Sequence, residues 1–199
     1  MSILAFAGAA VKARHQTDDR ARKSLGITLI EALLAIAVGA VLIIGAIAFY
    51  MSASADTQTS TANQQVQAVV SNIRALYSSQ SSYTGLDNTI AVQGKVFPST
   101  MVTGASTPAT ALVRNPWKGN VVVAPVTTVA AGDSFSVVYP NVPQDACIKL
   151  VSSGATVGGA VISVTVGTTA VTLPATPVAA AAACSVTNAT GNTITWVAR

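Results

Sequence analysis

From Ile27 to Met51 the chain reads ITLIEALLAIAVGAVLIIGAIAFYM, a run in which Glu31 is the only charged residue and Thr28 the only other strongly polar one. As a helix rising about 1.5 Å per residue, these residues cover about 37 Å, enough to cross a hydrocarbon layer of about 30 Å. A helix that is apolar on every side has to lie in lipid or among other apolar helices. Arg20, Arg22 and Lys23 sit immediately before the run and no comparable cluster follows it. The positive-inside rule therefore puts the N-terminus in the cytoplasm and the remaining chain across the membrane.

An ordinary secretory signal is cut after its apolar stretch, at small residues. Here the small-residue site precedes it, in Lys23-Ser24-Leu25-Gly26 followed by Ile27-Thr28-Leu29-Ile30-Glu31. Gly at the cut, a hydrophobic first mature residue, Thr and Leu next, and Glu at the fifth mature position resemble type IV prepilins, and the 26-residue leader resembles the long-leader type IVb group. In that family a membrane aspartyl peptidase cuts after the Gly and methylates the new amino group. The resemblance thus implies cleavage between Gly26 and Ile27 and N-methylation of Ile27. It also implies assembly roles for Thr28, Leu29 and Glu31.

Glu31 needs a partner, because a carboxylate at mid-bilayer costs about 2.5–3.5 kcal/mol and less near the interface. The family resemblance supplies one, the amino group of Ile27 on an adjacent subunit. Opposite charges about 4 Å apart attract by roughly 4 kcal/mol at an effective dielectric of about 20, before desolvation is subtracted. Such a pair fixes the stagger between subunits more than it adds net stability. The alternative is a single-pass anchored protein with a stray glutamate near the end of its helix.

After Met51 the chain turns polar, and Val66, Val69, Val70, Ile73, Leu76 and Tyr77 recur at spacings of three and four. That places them on one face of a helix. The expected helix runs from Ile27 to about Ser79, roughly 80 Å, hydrophobic over 27–51 and amphipathic over 52–80. Gly39, Gly45 and the Ser/Thr/Ala run Ser52–Ala62 have low helix propensity, so bending or melting there during assembly is expected. Residues 84–116 carry Gly85, Asn88, Gly94, Pro98, Gly104 and Pro108 and read as the loop connecting helix to sheet.

The segments Asn72-Ile73-Arg74-Ala75-Leu76-Tyr77, Tyr83-Thr84-Gly85-Leu86 and Asn115-Pro116-Trp117-Lys118-Gly119-Asn120 resemble pilins of thin conjugative pili and some enterobacterial type IVb pili. Lys118 stands where Gly is commoner in that subgroup. Tyr83 and Trp117 read as core aromatics and turn anchors.

Strand character is expected at Asn120–Ala124, Phe135–Tyr139, Ala146–Val151, Val161–Val166 and Thr193–Val197, which are rich in Val, Ile, Thr and aromatics and bounded by turn formers. Val178–Ala183 fits either strand or short helix. The expected fold class is α+β, a long N-terminal helix packed on an antiparallel sheet within 117–199, with 52–199 as the globular domain and 1–26 as the removed leader. An even cysteine pair in an exported chain favours a Cys147–Cys184 disulfide, worth about 3–4 kcal/mol, over two free buried thiols. It would staple residues 147–184 as an external loop.

Only 9% of the 199 residues are charged, and the leader's five bases and two acids carry +3 of the formal +4. What remains is nearly neutral and offers no footprint for nucleic acid. The one histidine, His15, lies in the leader, and no hydroxyl has a catalytic partner motif. The expectation is a non-enzyme without cofactor or metal.

The function implied is a major pilin, assembled from the inner membrane into an extracellular helical homopolymer. Its implied partners are itself, the prepilin peptidase and the assembly machinery, with a host-cell or recipient-cell surface as a further candidate. The fibre would serve adhesion, self-association or mating contact. The alternatives are a minor pilin or type II secretion pseudopilin, and an unprocessed membrane-anchored binding protein.

Overall fold

The computed structural model describes residues 28–104, 107, 110–154, 159–185 and 190–199. Gly26, Ile27 and the leader 1–26 lie outside the described residues. The chain divides into two compact units, one ending at Gly45 and one running from Ala46 to Arg199.

Helix α1 spans Leu29–Leu76. Thr28 starts it: its Oγ1 accepts the Glu31 N–H at 3.3 Å, and its carbonyl accepts the Ala32 N–H at 3.0 Å. Thr-x-x-Glu is the spacing of a capping box, and a carboxylate in the first turn also meets the positive end of the helix dipole. In the first unit the described side chains of α1 are exposed or half-exposed, with none buried. In the second unit α1 is one-sided, with Thr59, Ala62, Gln65, Val66, Val69, Val70 and Ile73 buried. The Ser52–Ala62 run is helical here. Thr57 Oγ1 donates to the Ala53 carbonyl at 2.8 Å and Thr59 Oγ1 to the Ala55 carbonyl at 2.9 Å, so both hydroxyls are satisfied within the helix.

The connecting segment is more structured than a loop. It holds helix α2 (Asn88–Gln93), capped by Asp87 Oδ1 accepting the Ile90 N–H at 2.7 Å, and the two-residue strands β1 (Val102–Thr103) and β2 (Leu112–Val113), which pair antiparallel. Then follow β3 (Val122–Val126), β4 (Ser134–Val142), α3 (Gln144–Gly154), β5 (Val161–Val166), β6 (Thr169–Val171), α4 (Pro177–Ala183) and β7 (Asn192–Ala198).

Among the described residues the main sheet has the order β3-β4-β7-β5-β6, with antiparallel pairing throughout. The last strand therefore sits in the middle, between β4 and β5. It alternates as a half-covered strand should, with Ile194, Trp196 and Ala198 buried and Thr193, Thr195 and Val197 half-exposed. Ile73, Val69 and Val66 of α1 share one core with Phe135, Val137, Tyr139, Val164 and Trp196, the α+β packing expected. Tyr83 bridges helix and sheet, with ring centroids 5.4 Å from Tyr77 and 4.8 Å from Phe135.

Two expectations need correction. Ala146–Val151 is helix, not strand: it lies inside α3, which follows Pro143 and has Asp145 in its first turn. Its buried residues Ala146, Cys147, Leu150 and Val151 fall at i, i+1, i+4 and i+5, the spacing of a helical face. The segment between the cysteines is also no external excursion. It contributes β5 and β6 to the sheet and Val161, Val164, Val166 and Val171 to the core.

Candidate functional site

The first unit presents an apolar helical surface on which nothing packs among the described residues. Leu29 is 81% exposed and Ile30 76%, and Leu33, Leu34, Ile36, Val41, Leu42, Ile43 and Ile44 are exposed as well. It belongs to the one helix among the described residues that is long and apolar enough to cross a membrane. A Cβ built on Gly39 or Gly45 would meet nothing within 4 Å, so both glycines leave shallow places on the helix surface. Glu31 is exposed in the first turn and has no ion pair among the described residues. Thr28, Leu29 and Glu31 thus sit together at the helix start, with Thr28 as the cap and Leu29 as the first helical residue. The pairing of Glu31 with Ile27 concerns a residue outside the described set.

In the second unit α3 is held from two sides. Cys147 and Cys184 are fully buried and joined in a disulfide, with Cα atoms 5.9 Å apart, which ties α3 to the end of α4. Lys149 Nζ, two residues on, reaches Asp56 Oδ1 on α1 at 2.6 Å. That hydrogen bond, and the charge of Asp56, raise the Lys149 pKa. Both groups are more than half exposed, so the pair orients the helices more than it stabilises them.

The final strand is anchored at its end by Asp133. This carboxylate accepts from the Thr128 N–H at 2.8 Å, Thr128 Oγ1 at 2.7 Å, the Val129 N–H at 3.1 Å and Arg199 Nη2 at 2.8 Å. The Thr128 backbone and hydroxyl bonds are the largest reasons that the carboxyl stays well below the usual carboxylate range.

The sheet edge at β3 is closed by a side chain. Asn88 Nδ2 donates to the Val121 carbonyl at 2.8 Å, and Asn88 Oδ1 accepts the Val123 N–H at 2.9 Å. One amide thus occupies backbone groups that an incoming strand would need, and Pro125 further along β3 has no N–H to offer. In the sequence Asn88 reads only as a turn former, and nothing there singles out Asp133. Their partners are 33 or more residues away for Asn88 and 66 away for Asp133–Arg199, distances that no local pattern encodes.

No group of three or more His, Cys, Asp and Glu capable of holding a metal ion is present among the described residues. The arrangement provides an exposed apolar helix, a disulfide-tied domain and, at β3, a sheet edge whose backbone groups are already occupied.

The profile of the family described as PilS N terminal matches residues 56–199. The chain is 29% identical over 125 residues to the "Major structural subunit of bundle-forming pilus" of Escherichia coli O127:H6, and equally to that of Escherichia coli O111:H-. Each alignment covers 63% of this chain, and the chain spans 62% of the length of each of these relatives. Its fold is similar to the crystal structure of a type IVb pilin from Salmonella typhi, with a TM-score of 0.58 and 21% identity over 69% of this chain and 97% of that one.

Proposed function

We propose, from the premise that this chain belongs to the PilS N-terminal family, that it is the major structural subunit of a type IVb pilus. The observation that carries the reading is a single helix, α1, whose first part is an uncovered apolar surface with one acid in its first turn and whose later part is built into a folded domain. Before assembly the apolar part lies in the inner membrane with the domain outside. In the fibre the same surface faces like helices, so one apolar environment replaces another and removal from lipid exposes little to water. Gly39, Gly45 and the many alanines let neighbouring helices approach closely. The prepilin peptidase would free Ile27 as the mature N-terminus, and Glu31 would meet the methylated amine of the adjacent subunit. The blocked β3 edge disfavours strand addition on that side of the sheet. The exposed domain surface is left for contact with other fibres or with a recipient or host cell.

Mass spectrometry of the working protein tests this reading. A mature chain that begins with methylated Ile27 is expected, and an intact Met1 or a cut elsewhere overturns it. Antibody labelling of cells separates a major pilin, seen along long fibres, from a minor pilin or pseudopilin confined to the envelope.

A further inference from the structure

A cleft of about 660 Å³ opens in the second unit where the last turn of α1 meets the start of β5. Arg74 and Arg199 both line it, together with Tyr77, Ser78, Gln80 and Tyr83. Its size is that of a small-ligand site, but its wall is mostly polar, which suits a hydrophilic ligand.

Arg74 and Arg199 bring positive charge to this cleft. Arg199 gives Nη2 to Asp133 at 2.8 Å, and its backbone N–H donates to the Ala160 carbonyl at 3.0 Å, which fixes its position beside β5. Asp133 already accepts three hydrogen bonds from Thr128 and Val129, so it has little left for a second guanidinium. Arg74 is exposed and has no ion pair among the described residues. Two arginines thus line one cleft: Arg199 has the heavily used Asp133 as its partner, and Arg74 has no ion pair among the described residues. Planar guanidinium forks match the geometry of a carboxylate, as they do that of a phosphate. The rest of the wall is set in advance, because Tyr77 and Tyr83 pack on each other and Tyr83 rests on Phe135. The Tyr83 N–H is also bonded to the Gly132 carbonyl at 2.7 Å.

We propose that this cleft binds the carboxylate of an acidic saccharide, with Arg74 as the recognition residue and Arg199 as its partner. Hydroxyl and amide groups from Tyr77, Ser78, Gln80 and Tyr83 suit ring hydroxyls. An acidic peptide would want apolar sockets for its other side chains, and here only Ala75, Ala160 and Ile162 offer apolar surface.

The test is binding of glucuronic acid, glucose and a triglutamate peptide to the full mature chain dispersed in detergent, followed by saturation-transfer NMR and calorimetry. Dispersed subunits are used, so the result is independent of whether the chain forms fibres. Glucuronic acid is expected to bind about tenfold or more tightly than glucose, the share of a charge-assisted pair. Arg74→Gln is expected to remove most of that advantage while the melting temperature stays unchanged, and Lys95→Gln, outside the cleft, to leave it intact. Equal binding of the two sugars, tighter binding of the peptide, no binding at millimolar concentration, or a well-folded Arg74→Gln that binds as wild type each overturns the proposal. The comparison of the two sugars needs no variant, so it decides the matter even if Arg74→Gln folds poorly.

Discussion

Asn115 and Gly119 hold each other in a closed loop: the Gly119 N–H donates to Asn115 Oδ1 at 2.8 Å, and the Asn115 N–H donates to the Gly119 carbonyl at 3.0 Å. The same side chain accepts the Trp117 N–H at 3.0 Å and donates from Nδ2 to the Pro140 carbonyl at 2.6 Å, which pins the turn to the end of β4. A Cβ on Gly119 would collide with the Pro140 carbonyl oxygen and come within 2.9 Å of Asn115 Nδ2.

The turn also places Lys118 at φ 63°, in the left-handed region, where a side chain costs roughly 1–2 kcal/mol. Glycine would adopt this conformation without that cost. Lys118 is exposed, so Lys118→Gly loses little packing and is expected to stabilise the domain by about 0.5–1 kcal/mol after the greater unfolded-state entropy of Gly is deducted. Gly119→Ala is expected to destabilise it by more than Lys118→Gly gains. Denaturant unfolding of the two variants checks both signs, and a Lys118→Gly midpoint at or below wild type contradicts the first.

Acid should loosen the end of β7. The folded pKa of Asp133 lies below its ordinary value near 3.9, so its contribution is fully present above about pH 4 and is lost as pH falls from there toward the folded value. Thermal melts of wild type and Asp133→Asn should differ most at neutral pH and converge in strong acid. A gap that stays constant from pH 7 down to about pH 2 would show that the charge is not what matters.

Reduction should reach the sheet and not merely a surface loop. The disulfide closes a separation of 37 residues that includes β5, the neighbour of the central strand β7. Replacing Cys147 and Cys184 by Ser should lower stability by about 3–4 kcal/mol, read from denaturant midpoints, and should expose β5 and β6 to protease. Unchanged protease resistance of the double variant would mean that α3 and α4 hold that region without the bond.

The sequence carried those parts of the architecture that repeat locally. Spacing alone puts Val66, Val69, Val70, Ile73, Leu76 and Tyr77 on one face; all but Leu76 are buried, and Leu76, the last residue of α1, is 38% exposed. Val161–Val166 was legible to the residue as β5 because β-branched residues fill it and glycines flank it. In Ala146–Val151, the β-favouring Cys147, Ile148 and Val151 hid a helical burial pattern that becomes visible only once Leu150 and Ala146 share a face. Asn88 and the Asp133–Arg199 pair are illegible for another reason. Their roles depend on which strand ends up beside them, and that follows from the whole sheet order.

If the cut follows Gly26, a bulky branched side chain there should stop it. Gly26→Val is expected to leave full-length precursor in the inner membrane, seen as a larger band on immunoblots of membrane fractions. Normal processing of that variant would move the cut site elsewhere.

Glu31 has two physical jobs that substitutions can separate. Its N–H bond to Thr28 and its place in the first turn make it part of the helix start, while its lack of an ion pair among the described residues leaves the carboxylate available to another subunit. Gln at this position keeps capping-box chemistry but carries no charge, and Val keeps neither. The loss of capping and dipole terms is small, about 0.3–1 kcal/mol. If charge pairing with the Ile27 amine sets subunit stagger, Glu31→Gln and Glu31→Val should both insert normally and both give few or no sheared fibres by electron microscopy. If Glu31→Gln yields wild-type fibres and Glu31→Val does not, the residue matters as a cap, and subunit register must come from the packing of apolar side chains along α1.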